Sequence, residues 1–150
     1  MKKFQFGLDT VLRYQQQVLE GLQNEHAALL LKVRQQEERL KQAEGRYSAL
    51  NLEFRRAERE GVTIPEAMRY ENGLRYLEGE IQREEQLLRQ YEAEAEAKRR
   101  QVVAARQSTA SLEKLREKKL ESYQKDAQKS EEQFIDELVS TTRVMEAGRS

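Results

Sequence analysis

The chain has no cysteine and no tryptophan, and only one proline and one histidine among 150 residues. Without thiols there is no disulfide, no thiolate-held zinc and no cysteine nucleophile. With Pro65 as the only proline, nothing on either side of it forbids a long continuous helix. Hydrophobic residues make up 37%, short of the near-half share of a compact domain, and mean hydropathy is −0.96. No apolar run approaches the ~20 residues that span a bilayer, so direct membrane insertion is not expected. The start, Met1-Lys-Lys-Phe-Gln, lacks the apolar core of a secretion signal, which makes a cytoplasmic location the expectation. Charge of one sign is missing too. Lys plus Arg and Asp plus Glu number 27 each, so no net field gathers nucleic acid or an anionic surface. There is neither a Gly-rich phosphate loop nor a nucleophile elbow. These residues specify no catalytic, cofactor-binding or metal site, and the protein is not expected to be an enzyme.

What the chain does have is an alternating four–three ladder. It runs through Leu8, Leu12, Gln15, Leu19, Leu22, His26, Leu29, Val33, Gln36, Leu40, Ala43, Tyr47, Leu50, Phe54 and Ala57. Only Gln15, His26 and Gln36 are not apolar. A 3.5-residue repeat sustained over about seven heptads keeps one stripe facing a partner helix through a left-handed supercoil. A coiled-coil seam has no pocket, which points to a mechanical or adhesive role.

The helical pattern breaks once, at Gly61-Val62-Thr63-Ile64-Pro65. Gly61 suits a left-handed C-terminal cap. Thr63 with Glu66 reads as a capping box, and Pro65 is tolerated in a first turn. The expectation is an all-α, two-helix antiparallel coiled-coil hairpin forming a single domain. Its first helix covers about 5–59, its turn 60–64 and its second helix about 65–145. The second ladder is Leu74, Leu77, Ile81, Glu84, Leu88, Tyr91, Ala95, Lys98, Val102, Ala105, Thr109 and Leu112. With the turn near residue 62, opposed positions sum to about 124. Leu50 then faces Leu74, Ala43 faces Ile81, His26 faces Lys98 and Gln15 faces Thr109. Two layers mismatch, Glu84 against Leu40 and Gln36 against Leu88. A polar layer costs stability but penalises slipped registers.

Past Leu112 the ladder changes phase to Leu115, Leu120, Tyr123, Ala127, Phe134 and Leu138. The first helix runs out there, so the last thirty or so residues are expected to overhang. Their stripe, with Phe134 and Leu138 at its centre, is a candidate docking face. Elsewhere the plain readings serve. His26 is a tolerated polar seam residue, and Lys98-Arg99-Arg100 is a solvated helix face.

Two blocks resemble a known family. Phe4-Gln-Phe-Gly-Leu8-Asp-Thr-Val11-Leu12-Arg13-Tyr14 is similar to the opening of the flagellar FliJ family, although Gln15 follows Tyr14 where arginine is commoner. Leu112-Glu-Lys-Leu115-Arg-Glu-Lys-Lys-Leu120-Glu-Ser-Tyr123, then Glu131-Glu132-Gln-Phe-Ile-Asp136-Glu137, resembles that family's charged C-terminal signature. The resemblance implies the central stalk of the flagellar type III export ATPase. Its paired chain ends would enter and stimulate a hexameric ATPase ring, and its tip would reach the membrane-embedded export gate at the cytoplasmic face. Some members escort export chaperones. The ring-facing residues it implies are Leu115, Arg116, Lys118, Lys119 and Tyr123, with Phe4, Phe6 and Leu8 beside them. Around the tip, Tyr70 to Leu77 is a location for the gate contact. Two other readings stay open, a plain scaffold coiled coil and the equivalent stalk of a non-flagellar secretion injectisome.

Overall fold

A computed structural model describes residues 2–149. The architecture is all-α, with two helices packed against each other and no strand among the described residues. Helix α1 spans Asp9–Glu60 and helix α2 spans Ile64–Gly148. Contacts divide the chain into two compact units, one of Met1–Leu19 with Ala104–Ser150 and the other of Glu20–Val103.

The connection in the second unit forms for local reasons. Gly61 is the only described residue with positive φ, at 99°, where a side chain would clash with its own carbonyl. The Thr63 amide donates to Glu66 Oε2, and the Glu66 amide donates to Thr63 Oγ1, both at 3.3 Å. This reciprocal cap satisfies two of the four orphan donors at the start of α2. Pro65, lying inside the first turn, has no amide to leave unpaired. Nearby, a β-carbon at position 73 would stand 3.0 Å from Leu50 Cδ2, so Gly73 lets α1 approach closely.

The same unit carries the register. The Phe54 and Tyr70 rings stack with centroids 5.0 Å apart. Lys32 lies 5.8 Å from the Tyr91 ring, and Lys98 Nζ pairs with Glu25 Oε2 at 2.8 Å. These pairs sum to 123 or 124, as the two ladders require. Two details differ from expectation. Lys98 is taken by Glu25, the residue before His26. Gln36 and Glu84, assigned to separate mismatched layers, reach diagonally and meet. Gln36 Nε2 donates to the Glu84 carbonyl at 3.1 Å and also to its carboxylate. Gln36 is 2% exposed, so its amide had to find a partner inside the seam. Among the described residues no buried side-chain polar atom lacks one.

In the first unit, Leu12, Ala105 and Thr109 are buried. Thr109 Oγ1 donates back to the Ala105 carbonyl at 2.8 Å, so it needs nothing from Gln15 across the seam. Helix α1 begins later than expected, at Asp9 instead of about residue 5. Gly7 sits in a turn closed by the Asp9 amide donating to the Phe6 carbonyl at 3.0 Å. The Asp9 carboxylate then pairs with Arg13 at 2.6 Å and lies at the positive end of the helix dipole. Residues 2–6 are not helical.

Two tests follow from this packing. Gly61→Ala is expected to lower unfolding free energy in urea by about 1 kcal/mol. Gly45→Ala, where a β-carbon meets nothing within 4 Å, should raise it by about 0.5–1 kcal/mol. Gln36→Leu alone should cost about 1–3 kcal/mol by leaving the Glu84 carboxylate without its partner. Adding Glu84→Leu should recover most of that loss, a coupling readable from a double-mutant cycle.

Candidate functional site

The residues expected at the ring-facing end fall together in the first unit. Phe4 and Phe6, half-buried, come from the non-helical N-terminal segment. Arg116 and Tyr123, also half-buried, come from α2. The Phe4 ring lies 5.5 Å from that of Tyr123, tilted by 54°, and the Arg116 guanidinium sits 5.8 Å from the Phe4 centroid. Tyr123 Oη donates to the Lys2 carbonyl. Phe4 is thus held between an aromatic edge and a cation, the arrangement that ring quadrupoles favour. Beside it Lys3, Gln5, Lys119, Ser122 and Asp126 line an open hollow of about 540 Å³.

The other members of the set are placed differently. Lys118 and Lys119 are exposed, and Leu8 is 41% exposed. Leu115 does not continue the seam. It is 38% exposed, whereas Arg116 takes the half-buried position and Leu120, Tyr123 and Ala127 follow. The phase change therefore starts at Arg116, whose long stem can lie along the seam while its head reaches Phe4. Leu8 was expected to end the pairing, but Lys2–Phe6 carry it on to Tyr123. The overhang is consequently shorter than the thirty or so residues expected, beginning after half-buried Ala127. From Gln128 onward every described residue is exposed, including Phe134 at 63% and Leu138 at 52%. The contributions of the Lys2 carbonyl, Gln5, Ser122 and Asp126 were not foreseen. The only signal was the Phe-x-Phe spacing of the first residues.

In the second unit the tip holds a hollow of about 470 Å³ lined by Leu50, Ala57, Glu66, Arg69, Tyr70 and Gly73. Tyr76 projects into solvent. The basic triplet of this unit is engaged. Arg99 donates to Glu96 from Nε and Nη2 at 2.8 Å, and Arg100 Nε lies 3.5 Å from the same carboxylate. Chiefly through the Arg99 hydrogen bonds, the Glu96 carboxyl is held down to about 2. Among the described residues no group of His, Cys, Asp or Glu is arranged to hold a metal, and no helix is long and apolar enough to cross a membrane.

A family described as "Flagellar FliJ protein" matches this chain over residues 4–147. No individual curated protein and no solved structure matches it.

The Glu96 pairing is open to titration. Because the folded carboxyl titrates below its ordinary 4.5, the contact favours folding above that pH and is lost as pH falls toward 2. Carboxyl NMR should place its midpoint near 2, and Arg99→Gln should move it up toward the ordinary carboxylate range.

Proposed function

This chain belongs to the flagellar FliJ family, a non-enzymatic group of type III protein export, and on that premise we propose that it is the central stalk of the export apparatus. It binds and stimulates the hexameric export ATPase through its paired chain ends and links the ring to the export gate through its tip. It works in the cytoplasm, at the inner face of the membrane that holds the gate. It needs no cofactor, does not bind nucleic acid, and takes export chaperones as further partners.

The observation that carries this reading is the junction of Phe4, Arg116 and Tyr123 with exposed Lys118 and Lys119 alongside. A stalk end must be held by a ring without being locked in it. Aromatic groups that can be desolvated set residence time, while exposed lysines steer the approach to acidic loops at a pore. Around the tip, the hollow beside Tyr70 and the exposed Tyr76 offer the gate an apolar contact. The uncovered Phe134 and Leu138 favour a second reading, a scaffold whose overhangs pair with one another.

ATPase turnover of the cognate ring, with and without added protein, separates the two. Wild type should stimulate turnover. Lys118→Glu with Lys119→Glu should raise the concentration for half-maximal stimulation about tenfold, most clearly at low salt. Helicity and melting should stay unchanged, because both side chains are exposed. Equal stimulation by the variant would remove these lysines from the site. No stimulation by wild type would favour the scaffold.

A further inference from the structure

We propose that the face of α2 bearing Arg116, Lys119 and Tyr123 is a recognition site for a non-helical peptide segment carrying an aromatic side chain. The chain's own residues Lys2–Phe6 fill that site as a displaceable strap. The inference goes beyond the stalk reading and does not depend on it.

The contacts define the ligand. Tyr123 Oη takes a main-chain carbonyl, that of Lys2, which every residue type offers. Between Arg116 and the Tyr123 ring lies a seat for one flat ring, filled by Phe4. Gln5, Lys119, Ser122 and Asp126 line the hollow beside it, so the segment around the ring meets a mixed polar surface of both charges. A main-chain carbonyl and an aromatic ring two residues apart are features that a segment of another protein can present equally well.

The strap is built to leave. Lys2, Lys3 and Gln5 are exposed, and Phe4 and Phe6 are only half-buried, whereas Leu12 at the first full seam layer is 5% exposed. The hydrogen bond and ring contacts must offset the entropy of fixing five backbone residues that no helix orders. Helix α1 uses only the Phe6 carbonyl of this segment, as acceptor for the Asp9 amide at 3.0 Å, and its bond from the Leu12 amide to the Leu8 carbonyl at 2.8 Å involves none of Lys2–Gln5. Such a segment belongs to the low end of local opening free energies. An incoming ligand competes with the strap, and its affinity is reduced by the fraction of time the strap is closed.

The probe is a synthetic peptide of residues 2–8, Lys-Lys-Phe-Gln-Phe-Gly-Leu, with 4-fluorophenylalanine as its first aromatic residue. It is titrated into the full chain by fluorine NMR. The Phe4→Ala chain, its own plug weakened, should bind the peptide about tenfold more tightly than wild type. Combining Phe4→Ala with Arg116→Ala and Tyr123→Ala should abolish binding, with circular dichroism confirming unchanged helicity. Amide exchange in wild type should be much faster at residues 3–6 than at Leu12. Equal affinity for wild type and Phe4→Ala would overturn the proposal. So would binding that survives loss of Arg116 and Tyr123, no binding to Phe4→Ala, or exchange at residues 3–6 as slow as at Leu12. No ATPase is present, so the result stands apart from that of the stimulation assay.

Discussion

Everything in this molecule depends on two narrow stripes being able to face each other across an antiparallel seam. A two-helix seam buries few atoms per layer, and no large side chain among the described residues is fully enclosed. Its strength therefore lies in repetition and in how near the backbones can come. Ala43, Ala95 and Ala105 are among the few buried apolar residues, and Gly73 admits Leu50 at a distance that a methyl group would crowd. Small buried residues of this kind let two helix backbones come close.

Uniform apolar stripes would slide, because a shift of one heptad restores nearly the same contacts. The Gln36–Glu84 pair breaks that degeneracy. A buried amide and a half-buried carboxylate satisfy each other in one alignment and go unsatisfied in its neighbours. The capped turn does the same from the other direction, since Gly61, Thr63 and Glu66 leave no slack in the number of connecting residues. Register is thus set twice, once by geometry and once by polarity.

The fold was legible because both of its determinants are local or periodic. The 3.5-residue ladder and the Gly-x-Thr-x-Pro-Glu turn can each be read within a few residues of chain. The Gln36–Glu84 bond was missed because layer counting pairs residues straight across, whereas a long amide can reach one turn diagonally. The N-terminal segment was misread for a similar reason. The helix was expected to begin near residue 5, ahead of Phe6, and no pattern reveals that Gly7 would hold the helix start back to Asp9 and leave Phe4 to meet the Tyr123 ring. Leu115 and Arg116 exchanged roles because apolar character was used to follow the stripe. An arginine with an aromatic partner can occupy a seam position that a leucine vacates. That Phe4, Arg116 and Tyr123 belong to one end of the chain was legible, while the main-chain carbonyl and the hollow beside them were not.

The capped turn has a consequence for how the chain assembles. Leu50 and Gly73 stand 23 residues apart, Gln36 and Glu84 stand 48 apart, and Lys98 and Glu25 stand 73 apart. Gln16 and Glu113 are separated by 97 residues, and Tyr123 and Lys2 by 121. Made directly from the unfolded chain, the last of these would close a very long loop. Made in order from the turn outward, each adds only about two dozen residues to the loop already closed by the one before. Loop-closure entropy therefore favours pairing that advances from Gly61 toward the termini. On a ribosome α1 must wait unpartnered until α2 emerges, and in that order the Tyr123–Lys2 clasp closes last.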